Sequence, residues 1–200
     1  GQEVAEVIHE VEVLERATGF VRWLPASECG FGYRESRFKR AGEHVVLAVR
    51  LRLRRDGVPT VRYPELARVL GDGASLRDVR SAVRALRAAK GMLIDDGFVP
   101  SAGSFFMNPV LTSEAASALP EVPKFAVDGG VKLSAAWLIE HAGFAKGTRR
   151  GNVGISSRHS LALVNHGATT TELLAFAGEV QQAVLAKFGV QLHVEPVRWS

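Results

Sequence analysis

The apolar residues of this chain follow strand-like spacing in some segments and helix-like spacing in others, without the regular strand–helix alternation of a parallel sheet. Segment 44–53 alternates with period two. Its apolar face holds Val45, Leu47, Val49, Leu51 and Leu53. Segment 170–188 instead repeats its apolar residues with the period of a helix, at Leu173, Phe176, Val180, Val184 and Phe188. This mixture predicts an α+β fold.

The predicted elements fall into two groups. The first group contains strands at 8–15, 19–24 and 44–53, a turn at 55–57, a short strand through Tyr63, and a helix from Ser75 to Lys90-Gly91. The second group contains a strand at 104–107, helices at 113–118 and 132–142, two strands, a long helix capped by Thr170, and a strand at 189–193. Residues 92–103 are expected to form the loop that separates two lobes.

Composition excludes several classes of protein. The 200 residues are 46% hydrophobic and 23% charged, which supports a folded core and argues against disorder. No apolar run approaches the roughly 20 residues that span a bilayer, and no export signal opens the chain. The single cysteine, Cys29, suits a reducing compartment, and the six histidines show no metal-ligand spacing. We therefore expect a cytoplasmic protein with no metal site, no membrane contact, no nucleic-acid partner and no obligate protein partner.

The strongest local concentration of charge is the arginine group at 50–55. The chain carries 25 Lys and Arg against 21 Asp and Glu, a formal net charge of +4. The preferred interpretation is a strand whose arginine end is solvated. An anion site or a nucleic-acid-binding face remains the alternative, although no aromatic residues alternate with these arginines in the sequence.

Segment 101–109 (SAGSFFMNP) is the strongest candidate for a functional site. A turn of small residues ends in the hydroxyl of Ser104, and two phenylalanines follow. Buried rings beside Ser104 would fix its hydroxyl and exclude water. Asn108, four residues later, adds a directional donor and acceptor.

Five segments, in order, carry a resemblance to a known family. They are 31–39 (FGYRESRFK), 101–109 (SAGSFFMNP), 132–140 (KLSAAWLIE), 161–165 (LALVN) and 188–196 (FGVQLHVEP). Together they resemble the UDP-N-acetylenolpyruvoylglucosamine reductase (UDP-N-acetylmuramate dehydrogenase) family, flavoenzymes of peptidoglycan precursor synthesis and therefore of bacterial cell-wall formation. The likeness runs along essentially the whole chain.

The resemblance implies a fold, two cofactors and a substrate. The expected fold is a partial FAD-binding lobe of the PCMH/VAO-like type over 1–91, then an α+β substrate-binding domain over 92–188, then a returning segment over 189–200. The implied cofactors are FAD and NADPH. The implied substrate is UDP-N-acetylglucosamine enolpyruvate, which the family reduces to UDP-N-acetylmuramate.

The resemblance also implies roles for individual residues. Arg34 matches an active-site arginine that meets both cofactor and substrate, Ser104 the proton-donating serine, and Glu195 the active-site glutamate. The implied substrate contacts are Tyr63, Lys90, Asn108 and His159.

Two departures from the family pattern affect this interpretation. The family's N-terminal phosphate loop of the Gly-Glu-Gly-Ser-Asn type and its Ile-Pro-Gly turn do not occur in the sequence. The chain is therefore expected to hold the later part of the flavin domain and the whole substrate domain. Met107 stands where many relatives have lysine. The alternative is a truncated, non-catalytic homologue that binds the UDP-sugar through Tyr63, Lys90 and Asn108.

Overall fold

Every strand pair in the described part of the chain is antiparallel. The computed structural model describes residues 3–40, 42–55, 57–94, 99–119 and 121–197. They form three sheets, with strand orders β2-β1-β3, β4-β10-β9-β8 and β5-β7-β6. Within these described ranges, six α-helices accompany the sheets. The predicted α+β class is confirmed, because no parallel pair with a crossover helix occurs among these residues.

The chain divides into two compact units, Gly1–Leu86 and Arg87–Ser200. The strands of the first unit are β1 (Ile8–Glu15), β2 (Val21–Pro25) and β3 (His44–Leu51). Its helices are α1 (Arg37–Arg40), α2 (Pro64–Val69) and most of α3 (Leu76–Ala89). Short 3₁₀ turns lie at Val4–Glu6 and Ala26–Glu28. The predicted assignment of 1–91, 92–188 and 189–200 to separate functions stays a prediction.

The core of the first unit is small. Val11, Val13, Leu24 and Cys29 are buried together, and Ile8, Phe31 and Phe38 pack against them. The predicted apolar face of β3 lies largely in contact with solvent, since the exposed fractions of Leu47 and Leu51 are 50% and 46%. Shifts in the β1–β3 register interrupt the simple alternation that the sequence predicts.

Side chains of the other two strands of this sheet contact the arginine end of β3. Arg50 forms an ion pair with Glu10 of β1, and its guanidinium lies 4.3 Å from the centre of the Trp23 ring on β2. Arg52 contacts the His9 ring. An aromatic residue therefore does lie beside these arginines, which the one-dimensional pattern could not reveal. The nucleic-acid-binding face stays an untested alternative.

The second unit contains the two remaining sheets and the main core. Its strands are β4 (Ser101–Ser104), β5 (Val110–Leu111), β6 (Lys124–Val127), β7 (Gly130–Leu133), β8 (Arg149–Arg150), β9 (Val153–Ile155) and β10 (Ala162–Asn165). Its helices are α4 (Ser113–Ser117), α5 (Ala135–His141) and α6 (Thr170–Phe188). One cluster joins Phe106, Leu138, Ile155, Phe176 and Leu192, so α5 and α6 share a core with the sheet that carries segment 101–109.

Several predicted elements require correction. The helix expected at 132–142 begins at Ala135, because 130–133 forms strand β7. The short strand through Tyr63 is absent from the described residues, and helix α2 begins at Pro64 instead. The predicted strand at 104–107 is displaced to Ser101–Ser104. That strand occupies the end of the expected loop 92–103. Residues 95–98 of this loop lie outside the described residues. Asp56 of the predicted turn also lies outside them.

The ends of the long helix α6 also differ from the prediction. Its N-cap is Thr169 rather than Thr170, because the Thr169 hydroxyl accepts the Glu172 N–H while the Glu172 carboxylate accepts the Thr169 N–H, at 3.3 and 2.7 Å. Gly189, with φ +67°, ends the helix. No strand forms at 189–193, and the next residue, Val194, makes an isolated bridge with Phe106. In the described part of the chain, no helix has the length and apolar character needed to cross a membrane.

We expect Leu138→Ala to destabilise the second unit by about 2–5 kcal/mol, because the Leu138 side chain is fully buried and its removal leaves a cavity. Urea unfolding followed by circular dichroism measures the effect. The matched control is Leu185→Ala, since Leu185 lies on α6 with an exposed fraction of 44%. Equal losses in the two variants would contradict the assignment of the core.

Candidate functional site

Ser104 is held at the end of a strand between two other segments of the second unit. It is the last residue of β4 and lies opposite Ala162 of β10. The next residue, Phe105, donates its N–H to the Leu161 carbonyl at 2.7 Å. Phe105 and Phe106 are buried and meet edge to face, with ring centres 5.3 Å apart. The predicted pair of buried rings beside the serine is present, and Ser104 itself is half-buried.

Glu195 lies next to this strand through backbone pairing. Its N–H donates to the Phe105 carbonyl at 2.9 Å, and the Met107 N–H donates to the His193 carbonyl at 2.9 Å. The bridge between Phe106 and Val194 completes this short antiparallel ladder. The backbone of the half-buried Glu195 is thus bonded to the residue that follows Ser104, so the structure joins two segments whose candidate residues are 91 positions apart in the sequence.

His159 lies in the loop that leads into β10, and its ring has a defined hydrogen-bonding role. The Leu161 N–H donates to Nδ1 of His159 at 3.1 Å. The neutral ring then carries its proton on Nε2, which can donate to a ligand. Burial, followed by the positive charge of Lys90 and more weakly that of Lys146, lowers the pKa of His159 below its ordinary value. A neutral ring with an Nε2–H donor is therefore the favoured form.

The loop around His159 is fixed on both sides of that residue. The buried Ser160 hydroxyl donates to the Glu140 carboxylate on α5. Arg158 donates from Nη1 to the Ala88 carbonyl at 3.0 Å. These side-chain contacts were not predicted, because their partners are 20 and 70 positions away and no local pattern connects them.

Lys90 and Asn108 belong to the same unit. Lys90 is half-buried at the end of α3, close enough for its charge to act on His159. The Asn108 side-chain oxygen accepts the Ala135 N–H at 2.9 Å, one of the N–H groups that the start of α5 leaves unsatisfied. This contact orients the amide, whose NH₂ group points to the opposite side. The second unit therefore contains five of the seven predicted site residues: Lys90, Ser104, Asn108, His159 and Glu195.

Arg34 occupies a strained turn in the first unit. Gly32 and Glu35 exchange two backbone hydrogen bonds, at 3.0 and 3.2 Å, around Tyr33 and Arg34. Arg34 has φ +55°, while Tyr33 does not have a positive φ. A positive φ at only the second central residue is typical of a type II turn, where glycine is usual. A non-glycine residue in this conformation costs about 1–3 kcal/mol, and such strain concentrates at functional sites.

Further contacts hold the Arg34 turn. Lys39 donates from Nζ to the Arg34 carbonyl at 3.0 Å, and the Arg34 guanidinium lies 5.3 Å from the centre of the Tyr33 ring. Tyr63, also in the first unit, has an exposed fraction of 64% and precedes Pro64 at the start of α2. Both predicted residues of this unit are accessible to a ligand.

The described residues contain no group of three or more His, Cys, Asp and Glu side chains placed to hold a metal ion. Cys29 is buried, its thiol contacts the Pro25 carbonyl, and burial raises its pKa. A buried thiol with a raised pKa is unsuited to nucleophilic chemistry.

We expect His159 to titrate below 6.5, its ordinary value, in an NMR pH titration. Because the unfolded chain then binds a proton more readily than the folded chain, stability should fall on acidification from the ordinary pKa down to the lowered one. His159→Gln should remove this part of the pH dependence, whereas His166→Gln should leave it intact. A His159 pKa at or above 6.5 would contradict the geometry.

Comparisons with known proteins agree with one another. Residues 94–199 match the family model described as the C-terminal domain of UDP-N-acetylenolpyruvoylglucosamine reductase. A protein of that name from Thermobifida fusca (strain YX) is 48% identical, with 98% of this chain and 61% of the relative covered. One from Corynebacterium diphtheriae is 46% identical, with 98% of this chain and 56% of the relative covered.

A solved structure gives the same result at the level of the fold. The crystal structure of UDP-N-acetylenolpyruvylglucosamine reductase from Thermus caldophilus matches with a TM-score of 0.53 and 26% identity, covering 96% of this chain and 52% of that one. The chain spans about 60% of the length of the curated relatives it matches. With more than half of its residues matched by the family model, the chain belongs to the UDP-N-acetylenolpyruvoylglucosamine reductase family.

Proposed function

We propose that the chain is part of an FAD- and NADPH-dependent reductase that converts UDP-N-acetylglucosamine enolpyruvate to UDP-N-acetylmuramate in peptidoglycan precursor synthesis. The observation that supports the proposal is the two-sided backbone bonding of Phe105, which joins the strand that ends in Ser104 to the segment that carries Glu195. A cytoplasmic location is part of the same proposal. Family membership and the names of the relatives support the reaction.

Ser104 is the proposed proton donor. Addition of hydride to the methylene carbon of the enolpyruvyl group leaves negative charge on the neighbouring carbon and on the carboxylate. An ordinary serine hydroxyl is a weak acid, but a strongly basic carbanion held within hydrogen-bond reach can take its proton. The buried rings of Phe105 and Phe106 restrict the strand end that carries Ser104, and Glu195 supplies a carboxylate that orients the donor or a water molecule.

Arg34 is the proposed electrostatic stabiliser. Its guanidinium can form a charge-assisted pair with the substrate carboxylate, onto which the developing charge spreads. The turn around Arg34 is closed by two backbone hydrogen bonds and by Lys39, so the backbone that presents the guanidinium is already ordered before substrate binds.

The remaining residues are proposed to hold the nucleotide-sugar part of the substrate. Lys90 supplies a positive charge for the diphosphate, and His159 supplies the Nε2–H donor beside it. The NH₂ group of Asn108 and the exposed Tyr63 ring are further contacts. The resemblance implies a polar substrate contact at the place of His159 that a glutamine could also make, since its amide N–H donates a hydrogen bond as Nε2–H does.

The residues of this chain suit the ring system of the proposed flavin, but those at the start of α3 do not suit its pyrophosphate. FAD supplies the hydride in this family, and the exposed cation and ring of Arg34 and Tyr33 suit contact with its ring system. A pyrophosphate needs a glycine-rich turn leading into an open helix N-terminus. The glycines before α3 do not meet this need, because Ser75 and Asp78 form a capping box there with bonds of 2.8 and 3.2 Å. The start of α3 thus provides no pyrophosphate cradle.

We expect Ser104→Ala in the full-length enzyme to leave flavin reduction by NADPH unchanged and to slow flavin reoxidation by the enolpyruvyl substrate about 10²–10⁴-fold. Stopped-flow absorbance of the flavin measures both half-reactions. The matched control is Ser101→Ala at the other end of β4, where the hydroxyl accepts the Gly103 N–H. Reoxidation of Ser104→Ala at the wild-type rate would show that Ser104 is not the donor.

We expect Arg34→Lys to lower kcat for the enolpyruvyl substrate by about tenfold or more, because an ammonium cannot make the planar two-point contact of a guanidinium with a carboxylate. Steady-state kinetics of the full-length enzyme measure this change. Arg22→Lys is the control, since Arg22 pairs with Glu15 elsewhere in the same unit. An unaltered kcat in Arg34→Lys would show that Arg34 does not stabilise the substrate carboxylate as proposed.

A further inference from the structure

Lys90 is placed by a well-defined helix ending. At the end of α3, the Gly91 N–H donates to the Ala88 carbonyl at 2.9 Å and the Met92 N–H donates to the Arg87 carbonyl at 2.8 Å. Gly91 has φ +67°. These two bonds and the left-handed glycine define a Schellman motif in which Lys90 is the C-cap residue. The direction in which the Lys90 side chain leaves the helix therefore depends on this motif.

Arg158 adds a third interaction to the same motif from a distant part of the sequence. Its Nη1 donates to the Ala88 carbonyl at 3.0 Å, the same carbonyl that the Gly91 N–H reaches. A Cβ built on Gly91 would lie 3.2 Å from Cδ of Arg158, so the arginine side chain lies directly against the glycine. A cation at a helix C-terminus bonds the last carbonyls and interacts favourably with the helix dipole.

The residue that makes this contact comes from the loop that presents His159. Ser160 is fixed to Glu140, and the His159 ring is fixed by the Leu161 N–H. Arg158 therefore extends from an ordered loop and connects that loop to the C-cap of α3. The charge of Lys90, and more weakly that of Lys146, acts on the His159 ring in this arrangement.

We propose that Arg158 is a positioning residue for anion binding: by bonding the Ala88 carbonyl and covering Gly91, it keeps the ammonium of Lys90 near the His159 ring. The ligand class is a nucleoside diphosphate, whose phosphate oxygens take a cation and an N–H donor together. The inference rests on the proposed function, in which Lys90 and His159 contact the substrate, and assigns Arg158 an indirect role through Lys90.

Two variants of the 200-residue chain perturb the contact in different ways. Arg158→Met removes the donor, and Gly91→Ala keeps every charge but introduces a Cβ 3.2 Å from the Arg158 side chain at a positive φ. We expect each to weaken UDP binding about tenfold in titration calorimetry. We also expect each to raise the pKa of His159 in an NMR titration, because the Lys90 charge moves away. Arg158→Lys, which retains one donor, should fall between wild type and Arg158→Met.

Matched controls distinguish this effect from a general loss of folding or of surface charge. Arg150→Met removes an exposed arginine on β8 whose Nη1 donates to the adjacent Arg149 carbonyl at 3.4 Å. Gly129→Ala places a Cβ at φ +83° with no atom within 4 Å. Both controls should retain wild-type UDP affinity and the wild-type pKa of His159.

The outcomes are distinguishable. Unchanged UDP affinity and an unchanged His159 pKa in both variants would overturn the positioning role. Weaker binding in Arg158→Met alone, with the His159 pKa unaltered, would also overturn it, because Arg158 would then contact the phosphates directly. If the wild-type chain does not bind UDP, the proposed function fails, while the His159 pKa in Gly91→Ala still decides whether Arg158 positions Lys90.

Discussion

The candidate site depends on the two-sided hydrogen bonding of Phe105. Its N–H bonds the Leu161 carbonyl and its carbonyl accepts the Glu195 N–H. One residue thereby joins three stretches of chain: the strand that ends in Ser104, the loop that carries His159, and the segment that carries Glu195. Its buried ring anchors this junction in the core formed with α5 and α6. A backbone bond in a buried setting is costly to leave unmade, so the junction is well determined.

The candidate residues Arg34 and Lys90 lie where regular structure ends, and side-chain cations stabilise those ends. Lys39 donates to the carbonyl of Arg34 in its turn, and Arg158 donates to the carbonyl of Ala88 beside Lys90. Turns and helix C-termini leave carbonyl groups that the helix or sheet does not satisfy. A long cationic side chain can satisfy such a group and order the neighbouring residue at the same time.

Most elements that depend on local interactions were predicted correctly from the sequence, whereas several elements that depend on pairing with distant residues were not. Helices α3 and α6 were predicted because their spacing and caps are local, although the α6 cap was placed one residue too late. The sheet β5-β7-β6 was missed, since its strands are two to four residues long and exist through their pairing. The predicted strand at 189–193 was wrong because only Val194 forms a bridge with Phe106. Strand formation is decided by partners that the local pattern does not identify.

The sequence by itself determined the α+β class, the main helices, the family, and the candidate residues Arg34, Ser104 and Glu195, because periodicity and motif order are properties of neighbouring residues. Tertiary structure decided which distant segments pair. It joined the segment of Glu195 to Phe105, the residue after Ser104, fixed Nδ1 of the His159 ring as an acceptor, and connected Arg158 to the end of α3. These contacts join residues up to 90 positions apart, and only the packing of the core determines their distances.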